Sequence, residues 1–179
     1  YPPAIAAIRM LIFTGMRHSE VLGLTWPNID AEGGKIILRS HKTVRTTGVK
    51  SLPITPAVAD VLEAAKAWRT SLYVFPGRKP GTPIAALSRV WDRVRRAADL
   101  ADCRLHDLRH SFASFGVSDG MALPLIGSLL GHTDAATTQR YAHLHDDPRR
   151  QAAEQISDRI AGALESDSGG PLVVPIKPK

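Results

Sequence analysis

Thr14-Gly15-Met16-Arg17-His18-Ser19-Glu20-Val21-Leu22-Gly23-Leu24 is the stretch on which the reading of this chain turns. Ahead of it, Pro2 and Pro3 mark a helix start, and the apolar run Ala4 to Phe13 predicts a helix that Gly15 ends. Beyond it, a short helix is expected through Ser19 to Leu24, with Val21, Leu22 and Leu24 toward a core. Arg17 falls between the two. A second cluster of similar character, His106-Asp107-Leu108-Arg109-His110, lies far downstream. It is followed by Leu130-Gly131-His132 and then Tyr141.

Working outward, Trp26-Pro27-Asn28 closes the second helix. Lys35 to Leu38 reads as a strand after the Gly33-Gly34 turn, and Val49 to Ile54 as another. Between them, Ser40 to Gly48 is a polar, basic hairpin or loop. Pro56 opens a helix through Trp68, Tyr73 to Pro76 is extended, and Ile84 to Leu100 is an amphipathic helix carrying Arg89, Arg93, Arg95 and Arg96. Further helices are predicted over His106 to Val117, Leu123 to Leu130, Asp134 to Tyr141 and Pro148 to Leu164. The fold class is therefore mainly α with a small antiparallel β-sheet (α+β). Residues 1–165 form one domain. From Ser166 the composition shifts to a linker and a proline-rich tail, 166–179, either flexible or docking as an arm.

The chain has 179 residues and is 44% hydrophobic, enough to bury a core in one domain. Lys plus Arg exceed Asp plus Glu by 23 to 17, a net charge of +6 that favours a polyanionic partner, nucleic acid first. Cys103 is the only cysteine, which excludes an intrachain disulfide and a cysteine-rich zinc site and fits a reducing cytosol. No apolar run reaches bilayer-spanning length, and no signal peptide is visible. Tyr1 stands where a methionine would begin a complete chain, so an excised fragment is expected.

Two arginines, a lysine, histidines and a phenol are the parts needed to break a phosphodiester without a metal. Negative charge grows on the non-bridging oxygens as a nucleophile attacks, and preorganised cations lower that barrier. Arginine suits this because its planar fork donates parallel hydrogen bonds and stays charged. Arg17 and Arg109 could clamp the two oxygens. His106, three residues before Arg109, shares its helical face. His132 follows a glycine and is free to reach a phosphate oxygen. A free tyrosine has a pKa of about 10, so Tyr141 needs a base and nearby cations to attack. The leaving 5′ oxygen needs a proton, which Lys42 could supply. Taken singly, each residue has an ordinary explanation as a cap, a solvated loop cation or a core phenol. The ordered set is rare by chance.

The chain resembles the catalytic domain of the tyrosine recombinases, also called phage integrases. The family's T-G-x-R-x-S-E-x-x-x-L motif is matched by Thr14 to Leu24. Its hairpin lysine before a V/L-P strand is matched by Lys42 ahead of Leu52-Pro53-Ile54. H-x-L-R-H is matched by His106 to His110, L-L-G-H by Leu129 to His132, and T-x-x-Y-x-H by Thr138 to His143. Lys50 stands where the family often has an arginine.

The resemblance, over roughly residues 1 to 160, implies the DNA breaking-rejoining enzyme fold and a site-specific recombinase acting through a 3′-phosphotyrosine. It implies that Arg17 and Arg109 bind the scissile phosphate and that His106 assists proton transfer. His132 hydrogen-bonds the phosphate and Tyr141 attacks. Lys42 is the implied general acid, although Lys50 shares the hairpin and leaves that choice open. Glu20 and His110 are implied supports. No metal, ATP or other cofactor is expected. The implied partner is double-stranded DNA, with a homo-tetramer on paired sites, a monomer for the isolated domain, and a bacterial or phage-encoded cytoplasmic setting.

DNA-backbone contacts are expected from Arg39, His41, Lys42, Arg45, Lys50, Arg89, Arg93, Arg96 and Arg140. In the family a separate N-terminal module completes a clamp on DNA, so this chain alone should bind weakly and with salt sensitivity. The tail, through Leu172-Val173-Val174, could pass to a neighbouring protomer or stay disordered. Three other readings compete. A type IB topoisomerase uses similar chemistry to nick and reseal one duplex. A metal phosphohydrolase could use His106-Asp107 and the i, i+4 pair His106 and His110, though without the acidic residues such a site needs. A non-catalytic DNA-binding module would commonly have lost the tyrosine or an arginine.

Overall fold

Helix α1, Pro2–Thr14, is the central element, because its apolar residues leave little of it for solvent. Ala4, Ala7, Ile8, Met10 and Leu11 are buried, and each large side chain among them contributes about 1.5–3 kcal/mol. Gly15 ends α1 in the left-handed conformation (φ 60°), as its sequence position predicts. The computed structural model describes residues 1–38, 49–132, 134–142 and 148–166.

After the Gly15 turn come α2 (His18–Leu22) and a 3-10 turn at Trp26–Asn28. A three-stranded antiparallel sheet follows, β1 (Ile29–Asp30), β2 (Lys35–Leu38) and β3 (Lys50–Pro53), in that spatial order. β1 escaped the sequence reading because two residues are too few to show alternation. In the β2–β3 register, Ile36 faces Leu52 and Leu38 faces Lys50. Ile36, Leu38, Lys50 and Leu52 are all buried, while Ser51 and Pro53 are exposed. Period-two alternation therefore sends Lys50 inward with the aliphatic residues.

Helix α3, Pro56–Ala65, is capped by Thr55, whose side chain accepts from the Val58 N–H, and it continues into a 3-10 turn at Lys66–Trp68. Its buried face, Val58, Val61, Leu62 and Ala65, joins the α1 and sheet residues in the larger core, with Val74 and Phe75. Helix α4 spans Ser88–Ala97, shorter than the Ile84 to Leu100 read from the sequence. The Ile84 N–H bonds the Phe75 carbonyl at 3.3 Å, and Ile84 and Leu87 enter the core ahead of the helix, Leu87 as its N-cap. At the other end, Asp99 adopts a positive φ of 55°.

Helices α5 (Asp107–Ser118) and α6 (Leu123–Leu130), with Tyr141 just beyond α7 (Ala135–Gln139), form a second core cluster of Ala113, Val117, Ile126, Leu130 and Tyr141. The two clusters meet at Gly15. A Cβ there would stand 2.7 Å from Phe112 Cδ1 and 2.8 Å from Leu130 Cδ2. Glycine is thus required both by φ and by the close approach of α5 and α6 to the end of α1.

Contacts divide the chain into Tyr1–Leu144 and His145–Lys179. In the second unit, α8 runs over Pro148–Ser166. The basic segment expected at Ser40 to Gly48 lies outside the described residues, as does the tail beyond Ser166. Among the described residues no helix is long and apolar enough to cross a membrane.

Candidate active site

Arg17, His106, Arg109, His110, His132, Thr137, Arg140 and Tyr141 line one cleft of about 190 Å³. Five of the six residues expected to do chemistry are thus gathered. The sixth, Lys42, lies outside the described residues together with Arg39, His41 and Arg45.

The Arg17 end is built locally. Arg17 precedes α2, and Glu20 sits at the third helical position, where a carboxylate reaches back to a free N–H. Glu20 Oε2 accepts from the Arg17 backbone N–H at 2.9 Å, and Glu20 Oε1 pairs with Arg17 Nη1 at 2.9 Å. On the other side, Lys50 Nζ donates to Glu20 Oε2 at 2.9 Å. Burial alone would raise the Glu20 carboxyl, but the Lys50 charge and the hydrogen bonds from Lys50 and Arg17 outweigh it, so Glu20 lies below its ordinary range.

Lys50 corrects an expectation. It was read as a DNA-backbone contact, yet it is 7% exposed, because strand alternation turns it into the core. An ammonium sealed against Glu20 is not presented to a duplex. Its own pKa is lowered by burial, against the pull of Glu20.

Arg109 is 6% exposed and reaches the cleft floor from α5. Its Nη1 donates to the Gly15 carbonyl at 2.6 Å and its Nη2 to the Leu130 carbonyl at 2.8 Å. Both carbonyls belong to turns with a left-handed glycine, Gly15 and Gly131, that end α1 and α6. A guanidinium has five N–H donors, so three remain after these anchors. Burial, then Arg17, lowers Arg109 to about 10, which leaves it charged at neutral pH. Arg17 Nη2 makes a longer contact, 3.5 Å, to the Gly131 carbonyl. The α6 turn therefore aligns both guanidinium groups.

His132 leaves the same turn. Its Nδ1 is 2.8 Å from Thr138 Oγ1, a buried hydroxyl on α7. Burial, then Arg109 and Arg17, lowers His132 to about 4, so it is neutral at pH 7. If the threonine hydroxyl donates to Nδ1, the ring proton sits on Nε2 and can be donated to an anion. Thr138 approaches closely because α6 offers Gly127, where a Cβ would meet Thr138 Oγ1 at 2.8 Å. Thr138 was visible in the sequence only as the start of T-x-x-Y, and nothing local gave its partner.

Tyr141, 6% exposed, is fixed in the second core cluster, and its Oη lies 2.6 Å from His110 Nδ1. The His110 and His106 rings stand edge to face with centroids 5.1 Å apart. Burial raises the Tyr141 phenol, opposed by Arg140 and Arg109. Burial, then His110 and Arg109, lowers His106. Asp107 is engaged mainly by Arg104, although its charge is also felt by His106 and His110. It accepts from the Arg104 backbone N–H at 2.8 Å and pairs with the Arg104 guanidinium at 2.9 Å, which holds it at about 2. Among the described residues no three His, Cys, Asp or Glu side chains are grouped as metal ligands.

Arg89, Arg93 and Arg96 stand apart from the cleft, exposed at i, i+4, i+7 on the face of α4 opposite the buried Trp91. Arg89 and Arg93, with Arg78 and Lys79, border a larger groove of about 970 Å³. Arg140 is exposed at the cleft rim.

The phage integrase family model matches residues 3–147. The tyrosine recombinase XerC of Xanthomonas axonopodis pv. citri (strain 306) is 32% identical over 147 residues, covering 78% of this chain and 46% of that protein. This chain thus spans about half the length of the curated relatives it matches. The catalytic domain of bacteriophage HP1 integrase superposes with a TM-score of 0.60 at 23% identity, covering 83% of this chain and 79% of that one. XerH site-specific recombinase, solved bound to its difH substrate before cleavage, superposes with a TM-score of 0.67 at 23% identity, over 85% of this chain and 46% of that one. By sequence this chain belongs to the phage integrase family, the tyrosine recombinases, and its fold is that of their catalytic domains.

Proposed function

We propose that this chain is the catalytic part, residues 1–165, of a site-specific DNA recombinase that cuts and rejoins strands through a 3′-phosphotyrosine on Tyr141. The observation that carries the reading is the single cleft in which Tyr141 shares space with Arg17, Arg109, His106 and His132. Double-stranded DNA is the substrate. XerH, which has the same fold, was solved bound to its difH substrate, and the Tn1549 transposon integrase, also of this fold, in complex with circular intermediate DNA.

In the proposed reaction Arg17 and Arg109 take the two non-bridging oxygens, using donors not held by Glu20 or the turn carbonyls. His132 Nε2–H donates to the same phosphate. The Tyr141 Oη–phosphorus bond forms as the bond to the 5′ oxygen breaks. The phenol proton passes to His110 Nδ1, already in hydrogen-bond reach. Lys42, assigned by its motif position, gives a proton to the leaving 5′ oxygen, and His106 assists proton movement at the cleft edge. Attack by a 5′ hydroxyl reverses these steps and rejoins a strand. The bond energy is kept in the phosphotyrosine, so the chemistry needs no ATP.

The test is a suicide duplex nicked near the cleavage point, so that the short 5′-ended piece diffuses away. Wild-type protein should become covalently joined to the 3′ phosphate, and Tyr141→Phe should not. Equal adduct yield from both proteins would overturn the assignment.

A further inference from the structure

We infer that Lys50 is a positioning residue, whose buried ammonium offsets Glu20 and so keeps the Arg17 and Arg109 charges available to the phosphate. The inference rests on the recombinase reading and deepens it. Three cations, Arg17, Arg109 and Lys50, are gathered around one carboxylate, Glu20. The Glu20 and Lys50 side chains are only 4% and 5% exposed, so water does little to screen them. With Lys50 in place, the carboxylate shares its charge between Arg17 and Lys50. Without Lys50, Glu20 would spend its whole charge on Arg17, which would then meet a phosphate as half of a neutral pair.

A second contact puts the same side chain under the turn that serves both arginines. A Cβ on Gly131 would stand 2.9 Å from Lys50 Cδ and 3.1 Å from Lys50 Cε, so the lysine stem packs directly beneath that residue. The Gly131 carbonyl faces Arg17, the preceding Leu130 carbonyl anchors Arg109, and His132 follows. One stem thus supports the backbone that aims three phosphate-binding groups. Strand pairing fixes its approach, since Lys50 lies opposite Leu38 on the core face of the sheet. Lys50 is absent from the cleft lining and nearly closed off from solvent, so it touches the site through Glu20 and the turn, with its charge also felt by Arg17, Arg109 and His132.

Charge and shape are separable. Lys50→Met keeps the stem and removes the charge. Lys50→Arg keeps the charge. Lys50→Met combined with Glu20→Gln removes both charges and leaves one amide oxygen to accept from Arg17 where the carboxylate offers two. Each protein is checked for folding by thermal melting and assayed in single turnover on the suicide duplex, with DNA affinity measured separately. Lys50→Met should slow covalent adduct formation on the order of a hundredfold, with little change in DNA affinity. Adding Glu20→Gln should recover most of that rate, and Lys50→Arg should stay near wild type. Wild-type cleavage by a folded Lys50→Met protein would overturn the inference. So would a double variant no faster than Lys50→Met.

Arginine side-chain NMR provides a reading independent of DNA chemistry. The Arg17 Nε–H resonance should shift in Lys50→Met and stay in place in Lys50→Arg; an unmoved resonance in Lys50→Met would overturn the inference. If wild-type protein forms no adduct, the recombinase reading fails, while the Arg17 resonance still judges the Lys50 arrangement. Should Lys50→Met fail to fold, the double variant decides. A folded double variant that forms adduct within about tenfold of the wild-type rate supports the inference, and one slowed by about a hundredfold overturns it.

Discussion

Tyr141 Oη and His110 Nδ1 are 2.6 Å apart, within hydrogen-bond reach. The pair joins the second histidine of H-x-L-R-H to the proposed nucleophile across 31 residues of chain. Because burial raises the phenol, its proton needs an acceptor when the oxygen attacks. His110→Ala should therefore slow adduct formation about 10²–10⁴-fold, the usual contribution of a positioned base. The readout is single-turnover cleavage on the suicide duplex, with partial recovery at higher pH as the phenol ionises unaided.

Arg109 should be irreplaceable by lysine. Its fork holds the Gly15 and Leu130 carbonyls while keeping donors for the phosphate, and a single ammonium cannot span that arrangement. Arg109→Lys should cut the cleavage rate about 10²–10³-fold while DNA affinity falls far less. Comparing single-turnover rates with equilibrium binding checks this. A loss confined to binding would contradict the placement.

His132 should titrate far from its ordinary value. Buried beside Arg109 and Arg17, it is lowered from 6.5 to about 4. NMR of the ring protons should show its midpoint near 4, and Thr138→Val should alter its tautomer by removing the Nδ1 partner. A midpoint near 6.5 would mean that the ring is not held as described.

Acid should destabilise the fold in two stages. The unfolded chain protonates His132 below 6.5, whereas the folded chain waits until about 4, so stability declines as pH falls through that window. Glu20 and Asp107 are depressed in the folded state, so their contribution is complete above their unfolded values. It is lost as pH falls further, for Asp107 between 3.8 and about 2. Urea melts at pH 7, 5 and 3 should show both stages, and His132→Gln should reduce the first, leaving the part that comes from the lowered His106.

Gly15→Ala should lower both stability and activity. The residue has φ 60°, which costs a non-glycine residue about 1–2 kcal/mol, and its new Cβ would strike Phe112 and Leu130. Thermal melting together with the cleavage assay tests the effect, since the same turn carries the carbonyl that holds Arg109.

The sequence alone determined that α1 ends at Gly15 and that α6 spans Leu123 to Leu130. These depend on neighbours within a few residues, where propensity, capping and spacing act directly. It also supplied the ordered arginines, histidines and tyrosine. Only the tertiary structure decided which donors those residues keep free. Arg109 is anchored 94 residues away at Gly15, and Lys50 meets Glu20 across 30. Lys50, read on the Val49 to Ile54 strand, was expected to contact DNA because charge alone suggests solvent. Its alternation with Leu52 already set it on an inward face, but only the packed core supplied the carboxylate that makes burial tolerable. Contacts between distant residues depend on how helices and strands settle against each other, and no local pattern records that.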